Sequence, residues 1–228
     1  AAVFSRFLRD TQPGAAAATF SYRGLLYEPS APPPGDKLRK GAVNAILDYR
    51  YSTSPELTWY FDHHVSAFQE PGAEAHFRAD ASGRKFHDGA YGSCTKLVVD
   101  VARERFGWRP PDLDDLVAWA DVIDAARFPS AEMPVRLVEP ALRLMTVVEV
   151  HGADRFLAPL IDALSRGETL ADVTAKKDVQ DKLGPLLETH EKSLELIRAR
   201  AAQDHGVVTF DLVGEGGDRY NKFIPYWL

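Results

Sequence analysis

The chain has few of the residues that mark several large classes of protein. Cys94 is the single cysteine among 228 residues, so no disulfide can form within the chain and a cytoplasmic location is expected. No apolar run reaches the roughly 20 residues that a membrane-spanning helix needs. Basic residues are also scarce, because 27 Lys and Arg stand against 33 Asp and Glu, a net charge of -6. This balance argues against a long nonspecific nucleic-acid footprint and leaves a small, short or metal-bridged phosphate ligand open.

The rest of the composition is that of an ordinary globular protein, with 45% hydrophobic and 26% charged residues. Predicted strands and helices over residues 1–140 indicate an α/β domain with a mostly parallel sheet flanked by helices. Residues 141–205 are predicted to form a helical connector that is interrupted at Gly184-Pro185. Residues 206–228 are predicted to begin a second domain that the sequence does not complete.

Apolar periodicity and the glycine and proline breaks define the individual elements. Residues 1–9 are predicted to belong to a helix with its apolar residues on one face. A later helix is predicted to start near Ser93, run to Phe106 and stop at Gly107. Asp112 is the predicted N-cap of the next helix. A last helix is predicted to end at Gly206. The predicted strands are 18–27, 41–48, 57–61 and 207–213.

Two imidazoles and a carboxylate follow a buried strand directly. Asp62, His63 and His64 come after the run Leu57-Thr58-Trp59-Tyr60-Phe61. Imidazole nitrogen and carboxylate oxygen are good ligands for manganese, zinc or iron, and open α/β sheets bind ligands at the carboxyl ends of their strands. The alternative is a solvated turn with two surface histidines. The sequence thus predicts a metal site at this sheet edge.

A second carboxylate ends the preceding predicted strand. Asp48 could converge with Asp62 if the two strands are neighbours, although an aspartate after a strand is often only a turn former. Eight residues, including Pro55, separate the two strands. A parallel crossover usually takes a dozen or more residues, so adjacency requires a compact connection without a full helix.

The third candidate ligand lies on a helix. Apolar residues at 113, 116, 117 and 120 define an inward stripe, on which Asp124 falls, whereas Asp121 lies at its edge. A carboxylate that faces a core is costly unless it is paired or metal-bound. Asp124 is therefore the preferred ligand and Asp121 the second choice. The alternatives are a salt bridge with Arg127 or a helix that ends before residue 124.

A possible phosphate site stands at a predicted helix start. Gly92, Ser93 and Thr95 flank the free N–H groups and the positive dipole end that attract phosphate. An ordinary Ser N-cap explains the same residues. Cys94 could be a nucleophile in a cysteine-dependent enzyme, but the sequence places no base beside it, and cysteines are more often buried and inert.

The basic residues between these two patterns are further candidates for substrate contact. Arg84, Lys85 and His87 could bind a substrate phosphate, or they could form an exposed basic loop. The remaining histidines have no ligand-like neighbours and are predicted to lie at the surface. These are His76, His151, His190 and His205.

In these motifs the chain resembles the DHH phosphoesterase superfamily. The Asp-His-His signature matches Asp62-His63-His64, and the aspartate that ends the preceding strand matches Asp48. The Gly-Ser-Thr-Ser-like helix start appears as Gly92-Ser93-Cys94-Thr95, with Cys in place of the usual Thr or Ala. A further metal-site aspartate matches Asp124-Ala125-Ala126-Arg127-Phe128 or, in another context of the family, Ala120-Asp121-Val122. The four elements match in order and spacing over residues 41–128.

The resemblance implies hydrolysis of a phosphodiester or phosphoanhydride in an oligonucleotide, a cyclic dinucleotide or a polyphosphate. It implies a two-metal site with Mn²⁺, or Mg²⁺, on Asp48, Asp62, His63 and Asp124. Catalytic roles fall to His63 and to His64, the latter as an outer-shell or substrate-contacting group. The phosphate side is assigned to Gly92, Ser93, Thr95, Arg84, His87 and Arg127. A homodimer is possible.

Two departures from the family pattern lead us to expect a fragment. The first Asp-rich motif should precede residue 1, and the C-terminal Gly-Gly-Gly-His loop is absent from the sequence. The full-length parent is then the expected enzyme, and this stretch lacks the ligands of one metal and part of the substrate site. The competing hypothesis is a non-catalytic DHH-like module that binds nucleotide or metal.

Overall fold

The computed structural model describes residues 1–25, 41–152, 154–214 and 220–227. Residues 26 and 27, at the end of the predicted strand 18–27, lie outside these ranges. The chain divides into two compact units. Unit 1 comprises Ala1–Ala126 and Ala153–Gly167, and unit 2 comprises Arg127–Gly152 and Glu168–Leu228. The domain boundaries predicted at residues 140 and 205 stay predictions.

Unit 1 is built on a parallel sheet of short strands. β1 (Ala45–Leu47) pairs with β2 (Trp59–Asp62), and β2 pairs with β3 (Lys85–His87), both in parallel. β2 is the central strand and all of its residues are buried. The predicted α/β class with a parallel sheet is confirmed. Because the strands are parallel, their carboxyl ends meet at one edge of the sheet.

The connection from β1 to β2 is compact, as adjacency of the two strands requires. It contains no helix. Tyr51 anchors it by donating its backbone N–H to the carbonyl of Ala67, at 2.9 Å. Asn44, just before β1, bonds through its side chain to the backbone of Gly41 and Glu56. These bonds satisfy a buried amide and explain how an asparagine is accommodated at this position.

The two faces of β2 pack against different partners, because alternate residues of a strand point to opposite sides. Trp59 and Phe61 pack against helix α1 (Ala2–Thr11) and helix α3 (Cys94–Phe106). Tyr60 faces the other layer, where helix α2 (Ala73–Arg78) lies. The predicted helices at residues 1–9 and 94–106 are confirmed, and Gly107 ends α3 with a φ of 68°.

Helices α4 (Asp114–Asp124) and α7 (Asp154–Ser165) complete unit 1. The prediction that Asp112 caps α4 is wrong. Asp112 lies in a single 3₁₀ turn, its carboxylate accepts a hydrogen bond from Arg6, and α4 begins after that turn. Arg9 joins α1 to α7 through an ion pair with Asp162.

Unit 2 is mainly helical. Its buried core includes Val135, Leu194, Ile197 and Ile224. Within the described ranges, no helix of the protein combines the length and the apolar character that crossing a lipid bilayer requires. The helices of unit 2 are α5 (Met133–Arg136), α6 (Pro140–His151), α8 (Leu170–Ala175), α9 (Lys177–Arg200) and α10 (Ile224–Trp227), and its antiparallel strands are β4 (Ala202–Asp204) and β5 (Val207–Thr209).

Several predictions about this half of the chain are wrong. Helix α9 runs through Gly184-Pro185 without interruption, because buried residues on both sides of that dipeptide pack along one face. It ends at Arg200, and Gly206 instead lies in the turn between β4 and β5. β5 stops at Thr209, short of the predicted end at residue 213. His190 is buried rather than exposed, and its Nε2 lies 2.7 Å from the carbonyl oxygen of Val135.

The predicted first strand is also wrong in its described part. Residues 18–25 do not join the sheet. They pack through side chains instead: the guanidinium of Arg9 lies over the ring of Phe20, and the hydroxyl of Tyr22 bonds to Ser5. The apolar and aromatic pattern of this segment therefore reflects contact with α1 rather than strand pairing.

Candidate metal centre

Asp48 and Asp62-His63-His64 lie side by side at the carboxyl edge of the sheet. The backbone N–H of Asp48 donates to the carbonyl of Phe61 at 2.8 Å, which places Asp48 next to the end of β2. Asp48 has a φ of 61°, in the left-handed region that non-glycine residues occupy at a cost. The turn thereby directs a carboxylate towards the two histidines.

His63 is the centre of the group. Its Nδ1 lies 3.0 Å from the carbonyl oxygen of Tyr91, and a carbonyl can only accept, so Nδ1 carries the proton. In the neutral form of this ring, Nε2 presents a lone pair. That atom lies 3.3 Å from Oδ1 of Asp48 and 3.4 Å from Oδ2 of Asp124. It is buried and makes no hydrogen bond with the part of the chain that the structure describes.

This arrangement of three acceptor atoms suits a cation between them. Positive charge between Nε2 and the two carboxylates would come either from a proton on Nε2 or from a metal ion. Nε2 makes no hydrogen bond with the described residues despite the short distances, which favours the metal ion. Ligand atoms about 2.1 Å from one metal ion, at angles of 90–110°, are about 3.0–3.4 Å from one another. The two distances at His63 fall in this range or at its edge. A backbone carbonyl behind the other ring nitrogen is the usual partner of a metal-ligating histidine.

His64 extends the group. One ligand atom from each of Asp48, His63 and His64 lies within 4.8 Å of the others. Nδ1 of His64 is 2.7 Å from Oδ1 of Asp62. Desolvation lowers the pKa of His64, but the hydrogen bond to Asp62 and the neighbouring carboxylates outweigh it and raise that pKa above its ordinary value.

Asp62 itself takes a different place from the one expected for a ligand. It is fully buried, and both of its carboxylate oxygens accept hydrogen bonds, Oδ1 from His64 and Oδ2 from Tyr60. Among the described residues, the group whose ligand atoms all lie within 4.8 Å of one another includes neither Asp62 nor Asp124, and Asp124 approaches it through His63 alone. Its role as a direct metal ligand stays a prediction.

The structure places the two alternative aspartates of α4 in different environments. Asp124 lies beside His63, and burial together with the charge of Asp48 raises its pKa above the usual value. Asp121 instead accepts a hydrogen bond from the hydroxyl of Ser93, at 3.2 Å. Asp124, which the helical stripe selects, is thus the carboxylate that faces His63, but it does not face a core, because 37% of its side chain is exposed and no residue of α4 is buried.

The start of α3 is capped from within. Ser93 is buried, and its hydroxyl oxygen accepts a hydrogen bond from the N–H of Lys96 while the hydroxyl donates to Asp121. Gly92 and Thr95 flank it and are partly exposed. The Cys94 thiol points to the carbonyl of Phe61, and burial together with the charge of Asp48 raises its pKa. That environment opposes formation of a thiolate.

The other predicted phosphate contacts are spread more widely. His87 ends β3, and its Nε2 lies 2.8 Å from the carbonyl oxygen of His64. Arg84 precedes β3, at the opposite end of the strand, and its guanidinium lies over the ring of Trp59. The structure therefore does not bring Arg84 to the site edge. Arg127 is exposed and is the first residue of unit 2, and its role stays a prediction.

Sequence reasoning did not single out two groups that serve the site. The hydroxyl of Tyr60 bonds to Asp62, and the backbone carbonyl of Tyr91 bonds to His63. Period-2 alternation placed Tyr60 on the same side of β2 as Asp62 and could have indicated the first contact. No residue-type signal marks a backbone carbonyl.

Comparison with protein-family models, with curated proteins and with solved structures finds no match to this chain.

Proposed function

We propose that Asp48, His63, His64 and Asp124 bind a divalent transition metal, and that the protein is a metal-dependent phosphoesterase. The observation that carries the proposal is the buried Nε2 of His63, which makes no hydrogen bond with the described residues and faces two carboxylates at 3.3 and 3.4 Å. The mixed nitrogen and oxygen ligands favour Mn²⁺ over Mg²⁺, which prefers oxygen.

The proposed reaction is hydrolysis of a phosphodiester or phosphoanhydride in a small or short substrate. When bound, the cation supplies Lewis acidity towards a phosphoryl oxygen and lowers the pKa of water. The chain's own contribution is to fix the ligands: the Tyr91 carbonyl sets the tautomer of His63, and Asp62 orients His64. We assign the phosphate side to the N-terminus of α3, whose positive dipole end attracts anions.

Membership of the DHH phosphoesterase superfamily is part of this proposal, and it rests on the Asp62-His63-His64 signature with Asp48 and the start of α3. A cytoplasmic location fits the single, buried thiol of Cys94. The proposed partners are a phosphate-containing small molecule or a short nucleic acid, and a homodimer is possible.

One observation favours the alternative of a module that binds metal or nucleotide without hydrolysis. Over the described residues, the possible ligands form one group around His63, whereas a two-metal phosphoesterase needs carboxylates for a second ion about 3.5–4 Å away. A one-ion centre can bind a phosphate ligand without activating a nucleophile.

Metal binding and turnover, measured on the same protein, distinguish a phosphoesterase from a non-catalytic binding module. Isothermal titration with Mn²⁺ tests the site, and a hydrolysis panel with a short RNA, a cyclic dinucleotide and polyphosphate tests the reaction. His63→Ala should abolish both signals, and the exposed His205→Asn should change neither. Metal binding without turnover on any substrate favours the module. Absence of Mn²⁺ binding to the wild-type protein contradicts the proposal as a whole.

A further inference from the structure

Asp62 lies at the centre of a hydrogen-bond chain behind the proposed metal site. Its Oδ2 is 3.1 Å from the hydroxyl of Tyr60, and its Oδ1 is 2.7 Å from Nδ1 of His64. Asp62 and Tyr60 each have 0% of their surface exposed, so bulk solvent does not reach these partners. A buried carboxylate is costly unless donors satisfy it. These two side chains are donors to Asp62, and the backbone N–H of His64 adds a longer bond to Oδ1, at 3.4 Å.

The direction of each bond follows from the chemistry of the groups. An ionised carboxylate only accepts hydrogen bonds. The hydroxyl of Tyr60 therefore donates to Asp62, and Nδ1 of His64 carries a proton that it donates to the same carboxylate. When the ring of His64 is neutral, its lone pair is on Nε2, the nitrogen that does not bond to Asp62.

The position of Tyr60 is fixed by its packing. Tyr60 lies on β2, the central strand, and alternation puts it on the same face as Asp62. Its ring meets the ring of Tyr51 edge-on, with centroids 4.9 Å apart, and that of Phe77 at 6.1 Å. A phenol held on a buried strand by two aromatic neighbours presents its hydroxyl at one place.

We propose that Tyr60 is a positioning residue that acts through Asp62 to fix the orientation and tautomer of His64. The inference rests on the proposed function. In that function, the hydrogen bonds from Tyr60 through Asp62 to His64 keep Nε2 of His64 available to a metal ion or to a substrate phosphate. Without the hydroxyl of Tyr60, Oδ2 of Asp62 loses its donor and the carboxylate is held through Oδ1 alone, so the partner of the imidazole is less firmly fixed. Partners behind a metal-ligating histidine set the affinity of such sites.

Tyr60→Phe removes the hydroxyl and keeps the ring, and Tyr51→Phe is the matched control. Tyr51 is equally buried and touches the ring of Tyr60, but its hydroxyl bonds to His76 and Lys85 rather than to Asp62. The first readout is NMR of metal-free protein with ¹⁵N-labelled histidine, in which the His64 signals are assigned by their loss in His64→Gln. The second is the dissociation constant for Mn²⁺.

We expect a downfield Nδ1–H proton of His64, bonded to a carboxylate, in wild type and in Tyr51→Phe. In Tyr60→Phe this signal should broaden or shift, and the dissociation constant for Mn²⁺ should rise by about fivefold, less than the roughly 10–100-fold effect of a direct partner of a ligand, because Tyr60 acts through Asp62. Asp62→Asn should raise it by roughly 10–100-fold and serves as the second test if Tyr60→Phe does not fold.

An unchanged His64 signal together with an unchanged Mn²⁺ affinity in Tyr60→Phe overturns the inference. Equal losses in the two tyrosine variants also overturn it, because they indicate a packing effect. If the wild-type protein shows the Nδ1–H signal and its dependence on Tyr60 but binds no Mn²⁺, the hydrogen-bond chain stands and the proposed metal function fails.

Discussion

Oδ1 of Asp48 lies 3.3 Å from Nε2 of His63, although the connection that follows β1 and the whole of β2 separate the two residues along the chain. The distance is longer than the roughly 2.7–2.9 Å of a charge-assisted hydrogen bond, and the geometry of such a bond is missing. It does suit two ligands of one ion. Parallel pairing of β1 and β2 produces this proximity, because it brings both strand ends to one edge.

The first prediction concerns metal-dependent stability. Mn²⁺ at about 100 times its dissociation constant should stabilise the native protein by about 2.7 kcal/mol, which raises the melting temperature by roughly 5–10 °C for a chain of this size. Differential scanning fluorimetry measures the shift, and EDTA should reverse it.

The variant His63→Ala should abolish the Mn²⁺-dependent shift, because it removes the atom that faces both carboxylates. The control His205→Asn should keep the full shift, since His205 is exposed in unit 2 and asparagine tolerates its φ of 48°. A shift of equal size in His63→Ala would show that Mn²⁺ binds elsewhere.

The second prediction distinguishes the two aspartates of α4. Asp124→Asn should weaken Mn²⁺ binding by tenfold or more, because the Asp124 carboxylate faces His63. Asp121→Asn should change the dissociation constant by less than about threefold, because Asp121 bonds to Ser93. Isothermal titration calorimetry of both variants provides the comparison. A larger loss of Mn²⁺ affinity in Asp121→Asn than in Asp124→Asn would identify Asp121 as the ligand.

The third prediction concerns the thiol. Burial and the charge of Asp48 raise the pKa of Cys94, and its Sγ contacts the carbonyl of Phe61. We expect Ellman's reagent at pH 8 to react with Cys94 only at the rate of unfolding, and quickly in guanidinium. Cys94→Ser should leave Mn²⁺ binding in place. Rapid labelling of the native protein, together with loss of hydrolysis in Cys94→Ser, would support a cysteine-dependent enzyme instead.

Much of unit 1 follows from patterns within single elements. The run 57–61 predicts β2 because it is rich in apolar, aromatic and β-branched residues, and the helix 94–106 is bounded by Ser93 and Gly107. The carboxylate that faces His63 also follows from a local pattern, the 3.6-residue periodicity that puts Asp124 on the inward stripe.

Contacts between residues that are distant in the sequence could not be predicted, because no local pattern indicates them. Residues 18–25 have a strand-like pattern, but a period of two does not reveal whether side chains or backbone make the contact. Pro185 breaks an isolated helix, yet packing on both sides keeps α9 continuous. His190 lies at helical spacing from buried Leu183 and Leu194, so the periodicity of α9 could have indicated its burial.

The fourth prediction is a pH dependence of stability that resides outside the metal site. Asp80 and Lys85 form an ion pair at 3.1 Å in which both side chains are largely buried. Desolvation raises the pKa of Asp80, but hydrogen bonds from Ser82 and Lys85 outweigh it and lower the pKa overall. Desolvation likewise lowers the pKa of Lys85, and its bonds to Tyr51 and Asp80 raise it overall.

The directions of these two pKa shifts define the pH range in which the ion pair stabilises the folded protein. The stabilisation from Asp80 is present above the pKa of its unfolded state, near 4, and is lost as the pH falls through the lower folded pKa. That from Lys85 is full below about 10.5 and is lost at higher pH. Asp80→Asn should cost about 1–3 kcal/mol at pH 7 and flatten the acid side of the stability curve, measured by urea unfolding between pH 3 and 7. An equally steep acid side in Asp80→Asn would contradict this assignment.

The last prediction follows from the backbone of Asp48. Its φ of 61° is favourable for glycine and costs an aspartate about 1 kcal/mol. Asp48→Gly relieves that cost and removes a carboxylate beside Asp124, whose pKa the charge of Asp48 raises. The metal-free variant should therefore unfold at the same urea concentration as the wild type or at a higher one, while its Mn²⁺-dependent shift disappears. A folding role for Asp48 predicts the opposite, a variant that is less stable even without metal. Asp48→Asn tests the charge with the backbone preference retained, and it should lose the Mn²⁺ response without the gain in stability that comes from glycine.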